Sequence, residues 1–85
     1  MAYLVTLKRS AEKELSRLSS EIHDRVIERL IALQDDPRPQ GTKKLRGREG
    51  YRLRVGDYRV LYVVDDSEQK VEVYSVAHRR EVYRR

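Results

Sequence analysis

The chain has 85 residues, a net charge of +5, and equal shares (39%) of hydrophobic and charged residues, which fits one globular domain, 1–85, with a heavily charged surface. It contains no cysteine, which removes disulfides, thiolate catalysis and Cys-based zinc sites. No apolar run approaches the roughly 20 residues of a membrane span, and Met1-Ala2-Tyr3-Leu4-Val5 does not read as a secretion signal, so a cytoplasmic protein with no membrane partner is expected.

Tyr3-Leu4-Val5-Thr6-Leu7 is rich in β-formers and predicts a strand. Lys8-Arg9-Ser10 interrupts it, and Ser10 stands where an N-cap belongs, with Glu12 and Glu14 in the first turn of a helix. Ala11, Leu15 and Leu18 form that helix's apolar stripe. Ser19-Ser20 ends it and can cap a second helix, on which Ile22, Val26, Leu30 and Leu33 recur at helical spacing and Ile27 and Ile31 widen the stripe. Pro37 disfavours helix in the residue before it, so this helix stops near Asp36. So short a link predicts an antiparallel helix pair. Pro37 to Gly50 holds both prolines and three of the four glycines and reads as a loop.

Next comes Tyr51-Arg-Leu-Arg-Val-Gly-Asp-Tyr-Arg-Val-Leu-Tyr-Val-Val64. Tyr51, Leu53 and Val55 alternate with Arg52 and Arg54, and Gly56-Asp57 is a two-residue turn of the I′ or II′ kind. That turn sets Val55 opposite Tyr58, Leu53 opposite Val60 and Tyr51 opposite Tyr62, all toward the core. On the other face it sets Arg54 directly across from Arg59. Asp65 to Lys70 is a polar turn, and Val71 to Ala77 is a third alternating strand that completes an antiparallel meander. His78 to Arg85 allows little beyond a short terminal turn or helix. The fold class is therefore α+β: an N-terminal strand, a helix pair, and a three-strand meander in one sheet.

Charge is unevenly placed. Residues 1–42 sum to zero, 43–59 to +5, 60–77 to −3 and 78–85 to +3. Two basic blocks suit a polyanion such as RNA, although a solubilising surface accounts for them equally well. Like charges directly opposed on neighbouring strands cost roughly 0.2–1 kcal/mol. Arg54 facing Arg59, with Arg52 beside them, therefore points to a phosphate site. The competing reading has carboxylates from elsewhere neutralising them.

The remaining chemistry is narrow. The serines sit in caps and turns without a nucleophile elbow. His23 and His78 do not make a metal centre, Asp65 and Asp66 read as turn residues, and Gly47-Arg-Glu-Gly50 lacks the spacing of a nucleotide-phosphate loop, so neither metal nor cofactor is expected. Arginine, tyrosine and one histidine suffice for RNA cleavage, because RNA carries its own nucleophile. The 2′-hydroxyl attacks the adjacent phosphorus, and the protein aligns the strand, stabilises the phosphorane and moves protons. Tyr83 as phenolate can take the 2′-hydroxyl proton if nearby arginines lower its pKa; packing is the other reading of a C-terminal tyrosine.

Three stretches together resemble the RelE/ParE toxin superfamily: Lys43-Lys44-Leu45-Arg46-Gly47, Gly50-Tyr-Arg-Leu-Arg-Val-Gly-Asp-Tyr-Arg-Val-Leu-Tyr62, and Val76-Ala-His-Arg-Arg-Glu-Val-Tyr83. The His-Arg-Arg-x-Val-Tyr ending is similar to the RelE branch more than the ParE branch. The resemblance implies a RelE-like fold and a toxin of a type II toxin-antitoxin system. It implies ribosome-dependent endoribonuclease activity on messenger RNA, held inactive by a cognate antitoxin. It places catalytic roles on Arg52, Arg54, Arg59, Arg79 and Tyr83: Arg59 and Arg79 on the phosphorane, Tyr83 as general base. Some members have lysine at Arg52 and Arg54, and arginine does not shuttle protons. The segment from Arg79 to Tyr83 is shorter than in some members, which leaves Arg80 as the alternative to Arg79. A branch using a Glu-His pair keeps Glu49 and His78 as reserve candidates. Lys43, Lys44, Arg46, Arg48 and Arg80 read as contacts to messenger or ribosomal RNA backbone, with a solvated charge run as the competing reading. The alternatives to a ribonuclease are a ParE-like gyrase poison and a silent member acting only through its antitoxin.

Overall fold

The computed structural model describes residues 2–82, and of Val82 the backbone only. Strand β1 (Leu4–Leu7) leads into helices α1 (Arg9–Ser16) and α2 (Ser20–Ala32), then strands β2 (Thr42–Lys44), β3 (Tyr51–Val55), β4 (Tyr58–Asp65) and β5 (Lys70–His78), and a short helix α3 (Arg79–Val82). The strands form one five-stranded sheet in the order β1-β5-β4-β3-β2. The expected meander is its centre. β1 adds to one edge parallel to β5, and β2 to the other edge antiparallel to β3. β2 falls inside the stretch expected to be loop. Its three residues, two of them lysine, carry no apolar alternation, and the pairing comes from β3 beside them.

The hairpin register is the expected one: Tyr51 opposes Tyr62, Leu53 opposes Val60 and Val55 opposes Tyr58. Among the turn residues Gly56 carries the positive φ (+58°) and Asp57 does not, the II′ pattern. Ala11, Leu15, Val26, Leu30 and Leu33 of the helical segment pack with Leu53, Val55, Val60, Tyr62, Val71, Val73 and Val76 in one core on one face of the sheet. Burying each of these leucine and valine side chains contributes about 1.5–3 kcal/mol before entropy is charged against it. Leu61, Ser75 and Ala77 are also buried, but the register sets them on the other face, level with Arg52 and Arg59.

The helix starts differ from expectation in one respect. α1 begins at Arg9, with Lys8 at the N-cap making no side-chain cap. Ser10 instead sends its hydroxyl to the Tyr74 carbonyl at 3.2 Å, and Glu14 Oε1 accepts the Val76 N–H at 2.9 Å. Because β1 reaches only as far as Val73 in its register with β5, the outer edge of β5 beyond that point has no strand beside it. Helix α1 supplies the missing partners through two side chains. Ser19 caps α2 as expected, accepting from Ile22 N–H. α2 itself ends at Ala32, with turns before Pro37.

Candidate active site

The β3–β4 turn gathers three of the sequence-predicted arginines. Arg54 lies directly across from Arg59 in the register, on the face opposite the helices. Arg59 folds back so that Nη1 donates to the carbonyls of Gly56 and Tyr58, both at 2.9 Å. Carbonyl oxygens orient a guanidinium without cancelling its charge. The first residue of α3 docks on the same turn: Arg79 N–H donates to the Asp57 carbonyl at 2.7 Å, and Arg79 Nε lies 3.9 Å from the Asp57 carboxylate. An exposed pair at that distance is weak. Asp57 had reason to be read only as a turn residue; its role as the anchor of Arg79 has no local sequence signal.

Arg52 is one step further along β3 on the same face, about 7 Å from the Arg54–Arg59 row at the rise of a strand. Lys43 on β2 stands directly opposite Arg52, a second like-charge cross-strand pair. Lys44 pairs with Tyr51 and so belongs to the helix face, which separates the two lysines that the sequence sets side by side. Arg46 and Arg48 sit on the Leu45–Gly50 connection, which is pinned rather than splayed into solvent. Leu45 N–H donates to the Gly50 carbonyl at 3.0 Å, and the Arg48 guanidinium lies over the Tyr74 ring at 5.8 Å. Gly50, at φ +123°, is pressed so close to β4 that a Cβ there would meet the Tyr62 carbonyl oxygen at 2.7 Å. Only glycine satisfies both demands.

The C-terminal candidates divide. Arg80 N–H donates to His78 Nδ1 at 3.2 Å, and the His78 ring packs edge-on against Tyr58 at 5.4 Å. Tyr58 and His78 are register partners on the helix face. His78 therefore sits across the sheet from the arginine rows and caps the short helix α3, while Glu49 lies on the basic loop, so the fold does not bring the reserve Glu-His pair together. Tyr83 lies outside the described residues.

The other end of the sheet holds a network that the sequence did not announce. Arg38 donates to both carboxylate oxygens of Asp66 at 3.2 and 2.8 Å and to the Tyr51 hydroxyl at 2.9 Å, and Tyr3 donates to Asp66 at 2.6 Å. The Arg38 guanidinium and the Tyr3 hydroxyl hold the Asp66 carboxyl below the usual carboxylate range. The same hydrogen bond from the other side raises the Tyr3 phenol. Burial raises Tyr62, whose hydroxyl donates to the Pro37 carbonyl at 2.7 Å. These shifts belong to structural ties at this end of the sheet.

The face carrying Lys43, Arg52, Arg54 and Arg59 suits a phosphodiester backbone, with fixed forked donors near the turn and a basic track leading from it. Among the described residues no cluster of His, Asp and Glu is arranged to hold a metal ion.

Comparison with known proteins gives concordant matches. A family profile described as the ParE toxin of type II toxin-antitoxin system, parDE, covers residues 5–83. Toxin RelE of Mycobacterium tuberculosis (strain ATCC 25618 / H37Rv) is 33% identical over 84 residues, which is 96% of this chain and 87% of that protein. The mRNA interferase toxin RelE of Escherichia coli (strain K12) is 34% identical over 88 residues, 98% of this chain and 92% of the other. Among solved structures, the archaeal RelE-RelB complex from Pyrococcus horikoshii OT3 superimposes with a TM-score of 0.84 at 29% identity, covering 93% of this chain and 97% of that one. The intact E. coli RelBE toxin-antitoxin complex gives 0.80 at 30% identity, covering 91% and 96%.

Proposed function

Because the chain belongs to the RelE/ParE superfamily of toxins from type II toxin-antitoxin systems, we propose that it cuts messenger RNA on the ribosome and is neutralised by a cognate antitoxin. The observation that carries this reading is the convergence of Arg54, Arg59 and Arg79 on one tight turn, two of them positioned by main-chain carbonyls. In the reaction the 2′-oxygen of the RNA attacks the neighbouring phosphorus and the 5′-oxygen leaves, giving a cyclic phosphate. Arg59 and Arg79 receive the charge that builds on the phosphorane oxygens, with Arg80 as the alternative to Arg79. Arg52 and Arg54 hold the scissile phosphate as permanent cations. Tyr83, by resemblance to the family, takes the 2′-hydroxyl proton. Lys43, Lys44, Arg46, Arg48 and Arg80 contact messenger or ribosomal RNA backbone, and the site of action is the cytoplasm.

The matched profile's ParE description keeps a second reading in view, a gyrase poison without RNA chemistry. Both are tested by expressing the toxin without antitoxin and by adding purified toxin to a translation mixture. A ribonuclease stops translation first and leaves cut message; a gyrase poison first causes DNA damage. Arg59→Ala is expected to lower cleavage by about 10²–10³-fold, the usual cost of removing one preorganised donor to a developing anion, with an unchanged circular dichroism spectrum. Full cleavage by a folded Arg59→Ala protein overturns the site.

A further inference from the structure

Tyr74 differs from Tyr3, Tyr51 and Tyr62 in how its hydroxyl is placed. Its hydroxyl is buried and has no hydrogen-bond partner among the described residues, whereas those of Tyr3, Tyr51 and Tyr62 are all bonded. A buried hydroxyl without a partner costs roughly 1–3 kcal/mol, and phenylalanine would fill the same space without that cost. Stability alone therefore gives no reason for tyrosine here. The residue also sits at the irregularity of β5: Leu61 opposes Ser75 and Tyr62 opposes Val73, so Tyr74 is the extra residue of a β-bulge. Bulges re-aim a side chain, and here the ring meets Arg48 from the basic loop. It lies level with the Arg52–Leu61–Ser75 row, about 7 Å along the strands from the Arg54–Arg59 row.

Resting on the ribonuclease reading, we infer that the Tyr74 ring is a stacking platform for an unpaired RNA base and that Arg48 is its displaceable cover. Among its contacts Arg48 makes a cation–π contact with the ring, worth about 0.5–1 kcal/mol at an exposed site. A base stacked on an aromatic side chain gains about 1–3 kcal/mol, and a phosphate offers the departing guanidinium a stronger, charge-assisted partner. RNA thus supplies both exchanges at once: its backbone draws Arg48 away, and its base takes the uncovered ring. With Arg48 drawn aside, the Tyr74 hydroxyl gains the ribose of an adjoining nucleotide as a partner. Seated so, a base flanking the scissile phosphate fixes the strand's register over the arginines.

The test uses the full-length toxin and a single-stranded hexaribonucleotide carrying 2-aminopurine, whose fluorescence is quenched on stacking. Message cleavage in a translation mixture and thermal melting are followed in parallel. Wild-type protein and Tyr74→Phe are expected to quench the probe. Tyr74→Leu is expected to melt normally, lose the quench and bind about 5- to 150-fold more weakly, the stacking energy converted at 1.4 kcal/mol per tenfold. Its salt dependence should stay the same. Arg48→Ala should keep the quench at saturation and lose about 0.7 from the slope of log affinity against log salt, one phosphate contact on a single strand. Tyr74→Phe should melt at or above the wild type and, lacking the hydroxyl contact, bind a few-fold more weakly. If the wild type cleaves message but shows no quench, or if folded Tyr74→Leu quenches as the wild type does, the platform is overturned and the nuclease stands. If the wild type neither cleaves nor binds RNA, the nuclease reading falls and the platform with it.

Discussion

Replacing Arg54 by threonine should make the protein more stable and less active. Arg54 and Arg59 are opposed directly in the register, where Cβ atoms lie about 4.5–5.5 Å apart and like charges destabilise a sheet by roughly 0.2–1 kcal/mol. For a domain of this size 1 kcal/mol shifts the melting temperature by about 4–8 °C, so Arg54→Thr should melt about 1–8 °C higher in low salt. Threonine also suits a strand better than arginine, and salt separates the two contributions. The Debye length falls from about 10 Å at 0.1 M to about 3 Å at 1 M. The charge part of the gain should therefore fade at 1 M salt, and the propensity part should remain. Arg54→Lys, which keeps the charge, should show none of the salt-sensitive gain. Calorimetry of the three proteins at both salt concentrations reads the stability, and cleavage in a translation mixture reads the activity, which should fall at least tenfold for threonine. Should Arg54→Thr melt no higher than wild type in low salt, or gain equally at 1 M, the two guanidiniums do not repel and the central argument for a built phosphate site fails.

Two further predictions concern the opposite end of the sheet. Tyr62→Phe removes the donor to the Pro37 carbonyl, leaving a buried acceptor unmet, and should lower the urea midpoint by the equivalent of about 1–3 kcal/mol with an unchanged slope. Asp66→Asn removes the carboxylate held by Arg38 and Tyr3. A carboxyl whose folded pKa is depressed contributes stability at neutral pH and loses it as pH falls through that depressed value. The urea midpoint of the wild type should thus exceed that of Asp66→Asn at pH 7, and the gap should close on acidification below pH 3.8, the ordinary value for the group. A gap that is constant from pH 7 to pH 2 would mean that the ion pair carries none of the difference.

The parts of the fold that were legible in the sequence are those whose signal is local. Alternation from Tyr51 to Val64 and a two-residue Gly56-Asp57 turn fix each other, and with them the Arg54–Arg59 opposition. Ser19 could be read as a cap because its partner is three residues away. What escaped depends on distant neighbours. β2 is a strand only because β3 lies beside it, and β1 joins β5 across a separation that no periodicity reports. Ser10 has the sequence context of a cap, yet the uncovered edge of β5 claims its hydroxyl. Arg38, in a proline-rich stretch, carries no local sign of a partner, because the residue that makes it a structural tie is Asp66, 28 residues on. The candidate site was legible in its residue types and less so in its geometry, since the carbonyls that orient the Arg59 guanidinium and tether the Arg79 main chain leave no mark in the sequence.

The contrast between the arginines at the two ends of the sheet carries the functional argument further than either end alone. Arg38 is treated as a stabilising group is treated: a bidentate carboxylate, a phenol and an aromatic face surround it, so its charge is consumed within the fold. At the hairpin turn, Arg59 is oriented by two neutral carbonyls and Arg79 is tethered through its main chain, with a carboxylate only at 3.9 Å. The chain has acidic residues enough to neutralise these groups, since residues 60–77 alone carry a net −3 from four acids and Lys70; of the four, Asp65, Asp66 and Glu68 lie at or beyond the far end of β4, beside the turn that leads into β5, and Glu72 lies on β5 opposite Val63. A sheet built for stability alone would distribute the two signs evenly across its strands. At this one's hairpin turn an approaching anion meets Arg54 beside Arg59 and, next to them, Arg79, whose Nε lies no nearer than 3.9 Å to the Asp57 carboxylate.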